Sequence, residues 1–158
     1  GAPRIFYQET TLAANSALGR ESTTGSGLIA WAPPILWVVV MFALSSSLFS
    51  AANTAWFIEP ILRLIAPTAS AATIAMIHGF IRKAAHFTNY GILFWLLIRG
   101  PMAGRPYAAL GLCVLQALLD EGHQVFVPGR TASLYDVALD SSGALFSRFL
   151  NAAIAEPF

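Results

Sequence analysis

Charge is what this sequence has least of. Only 11% of its 158 residues are charged and 56% are apolar, where a soluble domain carries about 25% charged and 45 to 50% apolar. Lysine is nearly missing: Lys83 is the single one among nine basic residues, and the formal net charge is +1. No basic stripe is left to neutralise a phosphate backbone, which argues against a nucleic-acid partner. Cysteine is reduced to Cys113, which sits in an apolar run. That leaves no disulfide and no thiolate metal site, and the thiol reads as a small buried hydrophobe. No short apolar region with a small-residue cleavage site precedes the first long apolar run, so a cleaved signal peptide is not expected. With too few polar residues to cover an exterior and a mean hydropathy of +0.64, the apolar side chains call for a bilayer as solvent.

What is there instead is a polar leader followed by apolar runs. Residues 1–27 are rich in Ser, Thr and Gly and read as a mobile tail or weak surface helix, ahead of a four-helix membrane domain over residues 28–158. The uncharged run 28–49 is long enough to cross about 30 Å of hydrocarbon as the first span. Pro33 and Pro34 fall in its first turn, and Trp31 and Trp37 suit an interface belt. Residues 50–70 intersperse Trp56, Glu59, Pro60 and Arg63 with aliphatics, the pattern of a helix lying in the interface. A helix over 71–98 becomes the second span in its second half. Gly100, Pro101 and Gly104 break it, 107–119 forms the third span, and 137–154 the fourth, with Ser133 as a helix cap. The expected fold is all-α: four antiparallel transmembrane helices with an interfacial helix between spans one and two.

Antiparallel order has a consequence independent of exact boundaries. The end of span one, the start of span two, the end of span three and the start of span four share one face. There fall Ser45 to Ser47, Lys83, His86, Tyr90, Asp120, Glu121, Gln124, Arg130 and Asp136. Arg4, Arg20, Arg99, Arg105 and Arg148 lie at the opposite ends, so the positive-inside rule makes both termini cytoplasmic and the polar cluster outward-facing. The expected location is the bacterial cytoplasmic membrane.

Ionisable groups in a bilayer cost about 3 kcal/mol each unless paired or wetted, and so mark function by default. Lys83, His86 and Tyr90, three and four apart, form one helical stripe, as do Asp136, Asp140 and Gly143. Asp120 and Glu121, adjacent on a helix, point about 100° apart. Each has a structural reading as well. Lys83 and Arg82 can snorkel to headgroups, His86 and Tyr90 can be packing contacts, the carboxylates can pair with Arg130, and Asp140 can hydrogen-bond between helices. His78 and His123 read as interfacial. His86, Asp120, Glu121 and Asp136 are suitable metal ligands, but no close spacing such as HExxH accompanies them, and no metal or cofactor is assigned.

The strings Arg82-Lys83-Ala84-Ala85-His86-Phe87-Thr88-Asn89-Tyr90, Asp120-Glu121-Gly122-His123-Gln124 through Pro128-Gly129-Arg130, and Asp136-Val137 with Gly143 resemble the VanZ-like family of small bacterial membrane proteins. The segment ending Leu44-Ser45-Ser46-Ser47 looks like that family's first span. The likeness covers residues 31–149, with one departure, since the family pattern usually places Asn where this chain has Asp140. It implies a link to glycopeptide resistance of the teicoplanin type.

Residue chemistry then suggests a protein acting on or binding a phosphate-bearing envelope lipid or lipid-linked precursor at the outer leaflet. His86, Asp120 and Glu121 are the acid/base candidates. Lys83, Tyr90, Gln124, Arg130 and Asp136 are the binding candidates. Whether such an enzyme would hydrolyse or transfer is open, and a non-catalytic subunit of a larger membrane complex or homo-oligomer is the alternative.

Overall fold

The computed structural model describes residues 27–47, 50–128 and 132–155. The expected N-terminal leader, all but Gly27, therefore lies outside the described residues, and so does Arg130. Five helices are described: α1 (Ala32–Ser45), α2 (Ala51–Ile65), α3 (Ala71–Arg99), α4 (Pro106–Gln124) and α5 (Leu134–Ala155). No strand occurs among the described residues, so the fold is all-α.

The helix ends follow local chemistry. Pro33 and Pro34 sit in the first turn of α1, where an N–H would lack an intrahelical acceptor anyway. Ser50 and Ser70 cap α2 and α3 by accepting the N–H groups of Asn53 and Thr73. Ser133 does the same for α5, its Oγ accepting Tyr135 N–H at 3.1 Å, as the sequence pattern suggested. Between α3 and α4 the turn uses Gly104 at φ +73°, a conformation that a Cβ disfavours.

The most extensive packing is between α3 and α5. The two run parallel: Lys83 meets Asp136, His86 meets Asp140, and Gly91 lies near Ser147 further along both helices. Gly143 lies so close that an added Cβ would overlap the Phe87 carbonyl. Between the helices Tyr90, Leu93, Phe94, Cys113, Ala117 and Ala144 form a fully enclosed core. On the other side α1 runs parallel to α4, Trp31 and Leu112 lining one end of their shared cleft and Phe42 and Asp120 the other; Ser45 is bonded to Asp120, and Phe42 stacks on His123 with ring centroids 4.3 Å apart. Trp37, expected at the interface, instead turns inward and donates its indole N–H to the Asn89 carbonyl at 3.0 Å. His78 is likewise buried and shares a 3.1 Å hydrogen bond with Thr54 of α2.

The distribution of polarity is inverted relative to a water-soluble bundle. Asp120, Glu121, Gln124 and Asp140 are buried, while Ile35, Leu36, Val39, Phe42, Leu118, Leu119, Phe146 and Phe149 are exposed. Exposed apolar surface on this scale needs an apolar neighbour. Among the described residues one helix, Gly27–Ser45, is by itself long and apolar enough to cross a membrane. Helices α3, α4 and α5 have 29, 19 and 22 residues, but their apolar runs are interrupted by charged and polar residues such as Arg82 and Lys83 in α3, Asp120 and Glu121 in α4, and Asp136 and Asp140 in α5.

Candidate functional site

The end of α1, the middle of α3, the end of α4 and the start of α5 meet at one end of the bundle. At the rim, Lys83 Nζ donates to Asp136 Oδ1 at 2.8 Å and lies 4.5 Å from the centre of the Tyr135 ring. The bond to Asp136 raises the Lys83 pKa above the ordinary lysine value. Its side chain is 49% exposed, so solvent screens the pair. Lys83→Ala is accordingly expected to lower stability by less than about 1 kcal/mol, measured by thermal unfolding in detergent.

One turn deeper, His86 Nδ1 stands 3.5 Å from Asp140 Oδ1, with the imidazole 25% exposed and the carboxylate 0% exposed. Asp120 comes in from α4 at 2% exposure and accepts a 2.8 Å hydrogen bond from Ser45 Oγ through its Oδ2. His86, Asp120 and Asp140 each offer a ligand atom within 4.8 Å of the others. Fully buried Tyr90 lies within electrostatic reach of both aspartates. Polar satisfaction here is incomplete. Asp120 Oδ1, both Asp140 oxygens and the Tyr90 hydroxyl find no hydrogen-bond partner among the described residues, the 3.5 Å approach of His86 being an ion-pair separation only.

Glu121 faces elsewhere, as its offset from Asp120 requires. Its Oε2 accepts the Ser133 N–H at 2.7 Å, tying the end of α4 to the start of α5. Gln124 is buried in the last turn of α4, where its carbonyl accepts Val127 N–H at 3.1 Å.

The residues singled out from sequence thus separate. His86 and Asp120 converge with Asp140 in one cluster beside buried Tyr90, Lys83 and Asp136 pair at its outer edge, and Glu121 and Gln124 lie at the α4 end leading to α5. The sequence marks Ser45 only as a neighbour of the cluster and Asp140 as a packing group, whereas the structure bonds Ser45 to Asp120 and sets Asp140 against His86; its place four residues after Asp136 is the signal that puts Asp140 on the same stripe.

These features define a small helical bundle with an apolar exterior and a polar pocket at one end. The chain belongs to the VanZ/LLP1 family, whose profile it matches over residues 24–153, a stretch that contains the whole pocket. No curated protein and no solved structure matches the chain.

Proposed function

We propose that the chain crosses the bacterial cytoplasmic membrane four times, through α1, the second half of α3, α4 and α5. Its pocket receives the phosphate-bearing head of an envelope lipid or lipid-linked precursor from the outer leaflet. The observation that carries this reading is an apolar groove between α1 and α4 that ends on the pocket. A cleft of about 290 Å³ lined by Val38, Val39, Phe42, Gln116 and Leu119 reaches Asp120. It adjoins a second cleft of about 230 Å³ that continues along the same two helices to Trp31. An apolar channel beside a polar end suits an amphiphile, tail along the groove and head at Lys83 and His86.

The orientation rests on Arg99, Arg105 and Arg148 at the far ends of the helices. Exposed Trp56, Phe57, Ile61 and Leu64 on α2 would then lie in the outer headgroup layer. In this reading Lys83 and Arg130 hold the anionic head, and partly exposed His86 exchanges a proton with it, assisted by Asp120. Binding without turnover, as an accessory subunit, is the second reading. It is favoured by the engagement of Glu121 with Ser133, which occupies one of the acid/base candidates. Either role is consistent with a family linked to glycopeptide resistance.

Filling the groove tests the proposal. Leu119→Trp is expected to reduce retention of a polyprenyl phosphate in nanodiscs by about tenfold or more, a loss of about 1.4 kcal/mol, and Arg130→Ala to weaken it as well. Native mass spectrometry reads the retained lipid, and wild-type retention in both variants overturns the reading. His86→Ala separates its two forms: loss of teicoplanin resistance with lipid retention intact supports turnover.

A further inference from the structure

Two carboxylates in the pocket stand close together, buried, and short of partners. Asp120 and Asp140 are 2% and 0% exposed, and three of their four oxygens accept no hydrogen bond among the described residues. Buried polar atoms are normally satisfied, and two neighbouring carboxylates cannot both ionise without a compensating positive charge. The nearby ammonium of Lys83 is directed to Asp136, and a protonated His86, 3.5 Å from Asp140, offsets at most one of the two charges. The Ser45 hydroxyl supplies one bond to Asp120, but a hydroxyl, like a buried water, brings no positive charge. The Tyr90 hydroxyl, 0% exposed and also without a partner, adds another polar oxygen from α3.

We infer that His86, Asp120 and Asp140 bind a divalent transition-metal cation, zinc or manganese, at the base of the pocket. One +2 ion offsets the two carboxylates and satisfies oxygens that accept no hydrogen bond from the described residues. The three ligand atoms lie within 4.8 Å of one another, and ligands on one ion stand at most about 4.2 Å apart, at roughly 2.1 Å from it. Small side-chain adjustments close the difference. One imidazole with two carboxylates favours zinc, manganese or ferrous iron over magnesium or calcium, which prefer all-oxygen shells, and thiolate is absent from the set. Three protein ligands with His86 partly exposed leave a coordination position facing the rim, as in sites where a metal meets an exchangeable ligand. Ser45, bonded to Asp120, is then the group that orients a ligand. With the ion bound, His86 and Asp120 act as ligands in place of the proton-exchanging pair, and the ion does not depend on the lipid reading because its binding is measured on the protein alone.

The test uses the purified full chain, stripped with chelator and titrated with zinc, manganese and magnesium salts in turn. Elemental analysis after desalting and the shift in thermal midpoint are the readouts. Zinc or manganese is expected to be retained at one ion per chain and to raise the midpoint, with magnesium doing neither. Asp140→Asn preserves shape, and circular dichroism checks that it folds; it is expected to weaken binding by about 100-fold or more, and Ser45→Ala by about tenfold or more. Failure of the wild type to retain either ion, or undiminished binding by Asp140→Asn, overturns the inference.

Discussion

Gly143→Ala is expected to destabilise the protein by about 2 to 3 kcal/mol, seen as a lower thermal midpoint in detergent. A Cβ at this position would overlap the Phe87 carbonyl, standing 2.8 Å from its carbon and 3.0 Å from the Phe87 Cα. These are backbone atoms inside a helix, which cannot rotate aside as a side chain would. Relief requires α3 and α5 to separate along the line that pairs Lys83 with Asp136 and His86 with Asp140, so the pocket should loosen together with the bundle. The contrast is internal. Gly79 and Gly111 also lie within helices, yet a Cβ at either meets nothing within 4 Å. Gly79→Ala and Gly111→Ala should leave stability unchanged or raise it by up to about 1 kcal/mol through helix propensity. If all three variants unfold alike, the close parallel contact between α3 and α5 is wrong.

Glu121→Ala is expected to cost about 1 to 3 kcal/mol, because it leaves the Ser133 N–H without its acceptor and removes the tie between the end of α4 and the start of α5. Glu121→Gln keeps an acceptor oxygen where Oε2 now stands and should cost less than half as much. Thermal unfolding gives both numbers, and hydrogen exchange at the Ser133 amide reports the local effect, faster in the Ala variant than in the Gln variant. The same pair addresses role. If Glu121 acts only through this bond, Glu121→Gln retains function while Glu121→Ala loses it in proportion to stability. Loss of function in a stable Gln variant would restore Glu121 as an acid/base group.

Much of this was legible in the sequence, and the reason is that it depended on spacing within one helix. The turn-forming prolines of α1, the Ser133 cap and the stripes Lys83, His86, Tyr90 and Asp136, Asp140, Gly143 are all local patterns. So is the up-and-down order of apolar runs that brings four helix ends together. What spacing cannot supply is the rotation of one helix against another. Glu121 and Asp120 are neighbours about 100° apart, and only packing decides which of them enters the pocket. Trp37 and His78 have the composition of interface anchors, yet each was claimed by a partner distant in sequence, Asn89 and Thr54. Asp140 meets the same limit. Its importance comes from Asp120, 20 positions earlier on another helix, and no periodicity within α5 points to it.

The parallel pairing of α3 with α5 also bears on how the chain is made. Synthesis delivers His86 and Asp120 before any residue of α5 exists, and until that helix arrives their side of the bundle lacks its largest contact. Asp140 rides on α5, so the segment that completes the pocket also brings its most deeply buried carboxyl. A ribosome stalled before residue 134 would leave a three-sided vessel with His86 and Asp120 open to their surroundings. The site therefore cannot be complete before α5 has packed against α3.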